Sequence, residues 1–109
     1  MAATFVMQDL TNVNSNGAPP AEAAVDVGPY LHLVLEVQVP KAATAGTLAI
    51  QEANTRAEDA FSDISGATTV PLNATGPTRV KLENPARYVR WSVSGLTGDA
   101  TILINGLGR

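Results

Sequence analysis

The chain has 109 residues, 45% of them hydrophobic and 16% charged, and carries a formal net charge of −3. That length suits one domain with one core, and the balance of apolar and charged residues excludes a disordered chain. With no cysteine, disulfides and thiolate metal sites are excluded, and the negative charge argues against nucleic acid as the main partner, because phosphate binding needs a basic face.

The opening segment, Met1 to Val6, lacks both a basic n-region and a long apolar h-region, and no apolar run reaches membrane-span length. Both features predict a protein made and folded in a cytoplasm, with no membrane partner. A first strand is expected over Thr4–Leu10. Asn12 to Ala24, rich in Asn, Gly and Pro, reads as a long surface loop, mobile in the free protein and ordered by a neighbour. A short extended piece at 24–27 leads into a Gly28-Pro29 turn.

Tyr30 to Val39 is the clearest strand. Alternation puts Leu31, Leu33, Leu35, Val37 and Val39 on one face and His32, Val34, Glu36 and Gln38 on the other, and Pro40 is expected to end it. Thr47–Glu52 follows with Leu48 and Ile50 inward. Asn54–Ala60 is too polar for a confident helix, and Phe61 and Ile64 are expected to plug the core. Thr68–Leu72 and Thr78–Leu82 are short strands, and Asn84-Pro85 marks a turn. In the run Arg87 to Val93, Val89, Trp91 and Val93 share one face, and Tyr88, Arg90 and Ser92 the other. The Gly95–Gly98 turn and the apolar run from Ala100 to Ile104 then complete an expected hairpin.

About eight short strands with turn signals at roughly ten-residue spacing predict an all-β fold. The expected architecture is a single-domain antiparallel β-sandwich, jelly-roll-like, over residues 1–109. Leu33, Leu35, Val37, Ile50, Val89, Trp91 and Ile102 should form its core.

No catalytic constellation emerges. His32 is the only histidine, sits mid-strand, and has no serine in a nucleophile elbow beside it. Glu58, Asp59 and Asp63 lie on a polar loop without an aromatic subsite, so they read as a solvated face rather than a glycosidase pair. Asp26, Glu52, Asp59, Asp63 and Asp99 are hard oxygen ligands, but no EF-hand spacing organises them for calcium. No cofactor is expected. Asn73-Ala74-Thr75 matches a glycosylation sequon in form alone. Tyr30 and Tyr88, the two aromatics of outward parity, leave a glycan site as an alternative.

Charge is split along the chain: residues 1–70 hold eight acids and two bases, residues 71–109 five bases and two acids. The split is either chance or a dipolar surface suited to heterologous contacts between copies.

Val25-Asp26-Val27-Gly28-Pro29-Tyr30, Leu48-Ala49-Ile50-Gln51-Glu52, Phe61-Ser62-Asp63-Ile64, Val80-Lys81-Leu82 and Ala86-Arg87-Tyr88-Val89-Arg90-Trp91 occur in that order. Together they resemble the small β-sandwich virion proteins of tailed bacteriophages, over most of residues 25–105. Related jelly rolls occur in discoidin-like and carbohydrate-binding modules. The resemblance implies a non-enzymatic virion structural protein, a capsid decoration or cement protein that binds the major capsid protein as a homo-oligomer. It also implies a trimer and a place on the capsid surface. A neck, tail or baseplate accessory and a carbohydrate-binding module are the alternatives. The candidate interface comprises Arg79, Lys81, Arg87, Arg90, Tyr88 and Tyr30, with Glu58, Asp59, Asn16, Pro19 and Pro20.

Overall fold

The computed structural model describes residues 3–109; Met1 and Ala2, part of the opening segment considered above, lie outside the described residues. Nine strands form two sheets: β1 (Ala3–Val13), β2 (Val25–Asp26), β3 (His32–Lys41), β4 (Ala45–Ala53), β5 (Ser62–Asp63), β6 (Val70–Pro71), β7 (Gly76–Glu83), β8 (Tyr88–Thr97) and β9 (Ala100–Gly108). One sheet runs β1-β9-β3-β7; the other runs β2-β8-β4-β5, with β6 pairing the opposite end of β4 from β5. All the strand pairings are antiparallel. The chain passes between sheets at almost every connection and brings its last strand beside its first, which is jelly-roll topology.

That topology overturns the expected terminal hairpin. β8 pairs with β2 and β4, and β9 with β1 and β3, so the Gly95–Gly98 turn is a corner between sheets. Gly95 (φ 63°) and Gly98 (φ 84°) supply the left-handed backbone that such a corner needs. The alternation itself holds. Leu33, Leu35, Val37 and Val39 of β3, Leu48 and Ile50 of β4, Val80 and Leu82 of β7, Val89, Trp91 and Val93 of β8, and Ile102 and Ile104 of β9 are all buried. Every residue of the expected core lies between the sheets, because period-two alternation depends on the strand and not on its partner.

Four local expectations are corrected. The first strand continues to Val13, with ladder irregularities between Val6 and Gln8 and between Gln8 and Thr11. Pro40 does not end β3, which runs to Lys41 across a register shift that accommodates the missing N–H. Leu31 precedes the strand and is 64% exposed. Ile64 packs on the core, whereas Phe61 lies outside the second sheet under the Arg90 guanidinium, 4.1 Å from its ring centroid.

At the end of β9 the inward positions are Gly106 and Gly108. A Cβ at Gly106 would collide with the Phe5 ring, and one at Gly108 would sit 2.5 Å from Tyr30 Cγ. The two rings stack with centroids 6.5 Å apart and planes 8° apart. Glycine is therefore required so that two aromatic rings can lie flat against the strand backbone.

Candidate interaction surface

The expected interface residues do not form one surface. Arg90 has outward parity on β8 yet is only 8% exposed. Its Nε donates to Gln51 Oε1 at 3.0 Å, and its Nη1 donates to the Pro19 carbonyl at 3.1 Å and to Glu58 Oε2 at 2.8 Å. The second Glu58 oxygen accepts from the Ala21 N–H. These bonds hold Glu58 below its ordinary pKa, the Arg90 bond first and the Ala21 bond second. A single guanidinium thus ties two loops, 14–24 and 54–61, over the outside of the second sheet.

The same contacts correct the picture of a mobile 12–24 loop. Gly17 and Val93 exchange backbone hydrogen bonds of 2.8 and 2.9 Å, Asn16 Oδ1 accepts from the Leu96 N–H at 2.8 Å, and Ala21 and Ala24 are buried. Pro20 precedes a one-turn 3-10 helix at Ala21–Ala23 and stays exposed. The segment packs on its own domain because it serves as a broken edge strand beside β8.

Charge complementarity is likewise spent largely within the chain. Arg87 contacts Asp26 Oδ2 through Nη2 at 3.2 Å and Nε at 3.3 Å; Arg79 lies 3.7 Å from Glu36; Lys41 donates to Asp99 at 2.8 Å. The acidic and basic segments are neighbours in the folded ladders, β2 on β8 and β3 on β7, and part of the uneven charge is paired there and at Arg90, as Asp26–Arg87, Glu36–Arg79 and Glu58–Arg90. The Gly28 N–H and then Arg87 hold Asp26 below the usual carboxylate range, and Lys41 does the same for Asp99. Asp26 in turn raises Arg87. The guanidinium carbons of Arg56 and Arg87 lie 4.7 and 5.1 Å from the Tyr88 ring centroid, so Tyr88 is a cation–π partner. Tyr30 is half-buried against Gly108, and neither tyrosine is a bare platform. His32 Nδ1 is 2.6 Å from Glu83 Oε2 at the sheet surface. Among the described residues, no group of three or more His, Cys, Asp and Glu side chains could hold a metal ion.

On the outer face of the first sheet, sequence reasoning named Arg79 and Lys81 but missed the apolar residues beside them. Register places Thr4, Leu107, Val34 and Lys81 in one row across it, and Val6, Asn105, Glu36 and Arg79 in the next. Leu103, Leu107 and Val34 are only partly covered, and Val6 and Leu10 on the edge strand are 58% and 61% exposed. Asp59 and Asp63 are exposed on the opposite side of the molecule. The signal for the missed face lay in β9, where apolar residues occupy both parities, Ile102 and Ile104 on one and Leu103 and Leu107 on the other.

The architecture is that of an all-β jelly-roll sandwich. No protein-family model and no curated sequence matches the chain. Among solved structures, its fold is similar to that of the SPBc2 prophage-derived protein YomS, with a TM-score of 0.58 and 13% identity over 99% of this chain and 92% of that one. PirA aligns with a TM-score of 0.44 and 7% identity, over 98% of this chain and 91% of that one.

Proposed function

We propose that this chain is a non-enzymatic structural protein of a phage virion, and within that class a capsid decoration protein that binds the major capsid lattice as a homo-oligomer. The observation that carries the phage origin is the fold shared with a prophage-derived protein along nearly the whole of both chains. The docking surface in this reading is the outer face of the first sheet. Its apolar residues, Val6, Val34, Leu103 and Leu107, sit beside Arg79 and Lys81, and Val34, Lys81 and Leu107 border a shallow concavity there. Apolar contact supplies most of the affinity there, and exposed charges set orientation at about 0–1 kcal/mol each. Arg87 and Arg90, engaged within the chain, take no part.

Quantitative gel analysis of purified particles, with this chain and the major capsid protein measured together, tests the reading. Hundreds of copies per particle support decoration, whereas a few copies point to a neck, tail or baseplate part. Val34→Glu with Leu107→Glu should abolish attachment of the folded protein to particles that lack it. Sedimentation of the free protein then decides whether it associates as a trimer, and full attachment of the double variant would exclude this face.

A further inference from the structure

A second feature points to a small-molecule ligand. Where β1 passes the 14–19 segment, the molecule carries a cleft whose floor includes an edge of Trp91, the chain's single tryptophan. Its walls bear Gln8, Thr11, Asn12, Asn14, Ser15 and Asn16, and none of its lining residues is charged. The cleft is thus a neutral, amide-rich concavity beside an aromatic ring. The cleft lacks the formal counter-charge that strengthens recognition of a phosphate, a carboxylate or a metal ion. A purely apolar ligand would strand the wall amides without partners. A ligand dense in hydroxyls, with C–H edges to lie against an indole, satisfies both walls and floor.

We propose that this cleft binds a neutral saccharide, with one sugar ring seated at Trp91. The cleft is pre-formed, because each wall is held from behind. Gln8 Oε1 accepts from the Trp91 indole N–H at 3.1 Å and its Nε2 donates to the Asp9 carbonyl at 3.0 Å, which fixes the ring plane and leaves one amide N–H of Gln8 as a donor. Asn16 uses its Oδ1 on the Leu96 N–H at 2.8 Å, which likewise leaves its NH2 group for a ligand. The Gly17–Val93 bridge holds the intervening backbone in place. Trp91 as a whole residue is 9% exposed, so it offers little ring surface and not a broad platform. Affinity for a single ring therefore falls in about the millimolar range, and avidity from several copies raises it. The site differs from the Tyr30 and Tyr88 positions that parity suggested. It also lies away from the outer face of the first sheet, so it does not depend on how the protein attaches to a particle.

The lone tryptophan makes the test direct. The purified protein is titrated with glucose, galactose, mannose, rhamnose and N-acetylglucosamine while Trp91 fluorescence and backbone amide shifts are followed, and it is also screened on a glycan array. A saturable change with at least one neutral sugar, with shifts confined to residues 8–19 and 91, is the expected result. Asn14→Ala should weaken that response, and Asn16→Asp, which keeps the Leu96 contact but loses the donor, should weaken it by about tenfold or more. Unchanged amide spectra away from the cleft would show that both variants are folded. Absence of a saturable response to every sugar and to the array overturns the proposal, as does a response indifferent to both substitutions. Neither failure bears on the copy number that tests the virion reading.

Discussion

The two outer faces of this sandwich, one on four long strands and one centred on two long strands with short flanking ones, have opposite fates. Outside the second sheet, Arg90 draws in Gln51, Pro19 and Glu58, and two loops close over the strands. Outside the first sheet, the corresponding central positions are Val34, Leu103 and Leu107, and the polar contacts there, His32 with Glu83, Gln38 with Glu36 and Arg79 with Glu36, join strand residues to one another and draw in no loop. One face is finished within the chain by a buried charge that makes three hydrogen bonds. The other keeps apolar and charged side chains half in solvent. Basic residues on strands therefore say little about interfaces until the loops above them are placed.

The contrast can be pressed experimentally, beginning with the core that both faces share. Trp91→Ala should cost about 3–5 kcal/mol in denaturant unfolding, as a buried aromatic usually does, and this sets the scale. Arg90→Ala should cost about 2–3 kcal/mol, since it removes three hydrogen bonds and the stem that covers Phe61. It should also turn the 14–24 segment from protease-resistant to readily cut. A cost for Arg90→Ala no larger than that of Arg79→Ala would erase the difference between the faces.

Acid should act mainly on the finished face and its neighbouring corner. Asp26, Glu58 and Asp99 are held below their ordinary pKa values, so their contribution is fully present above the unfolded carboxylate range and is lost as pH falls from about 4 through the lowered native values. Glu58→Gln should flatten that part of the stability curve, measured as unfolding midpoint against pH. At the small end, Val34→Ser and Leu107→Ser should each cost about 1 kcal/mol, because both side chains are half-buried on strands that favour apolar and β-branched residues. Their main effect should appear in attachment to particles.

Strand positions and the core were legible in the sequence because alternation is a local property. Leu33, Leu35, Val37, Val89, Trp91 and Val93 lie where parity puts them. Partners were not legible: a Gly-rich turn of four residues, Gly95–Gly98, serves a hairpin or a corner equally well, and only the competition of β2 and β4 for β8 decides between them. The Arg90 clasp was hidden for a related reason. Its ligands come from Pro19, Gln51 and Glu58, which are remote from it in sequence, and no local pattern distinguishes a guanidinium roofed by loops from one in water. The exposed face was half legible, since apolar residues of both parities in β9 mark a strand covered on one side and available on the other.

The position of β9 has a consequence for synthesis. It lies between β1 and β3, so the first sheet has no middle until residues 100–108 have left the ribosome. Until then β1 and β3 have no common partner, and the inner residues of β3 face an incomplete layer. Few strand pairs here join neighbours in sequence, and such non-local topologies fold slowly and leave strand edges open meanwhile. Nascent chains that stall before Ile102 should therefore be held by chaperones or lost to proteases, and the whole sandwich should gain protection in one late step.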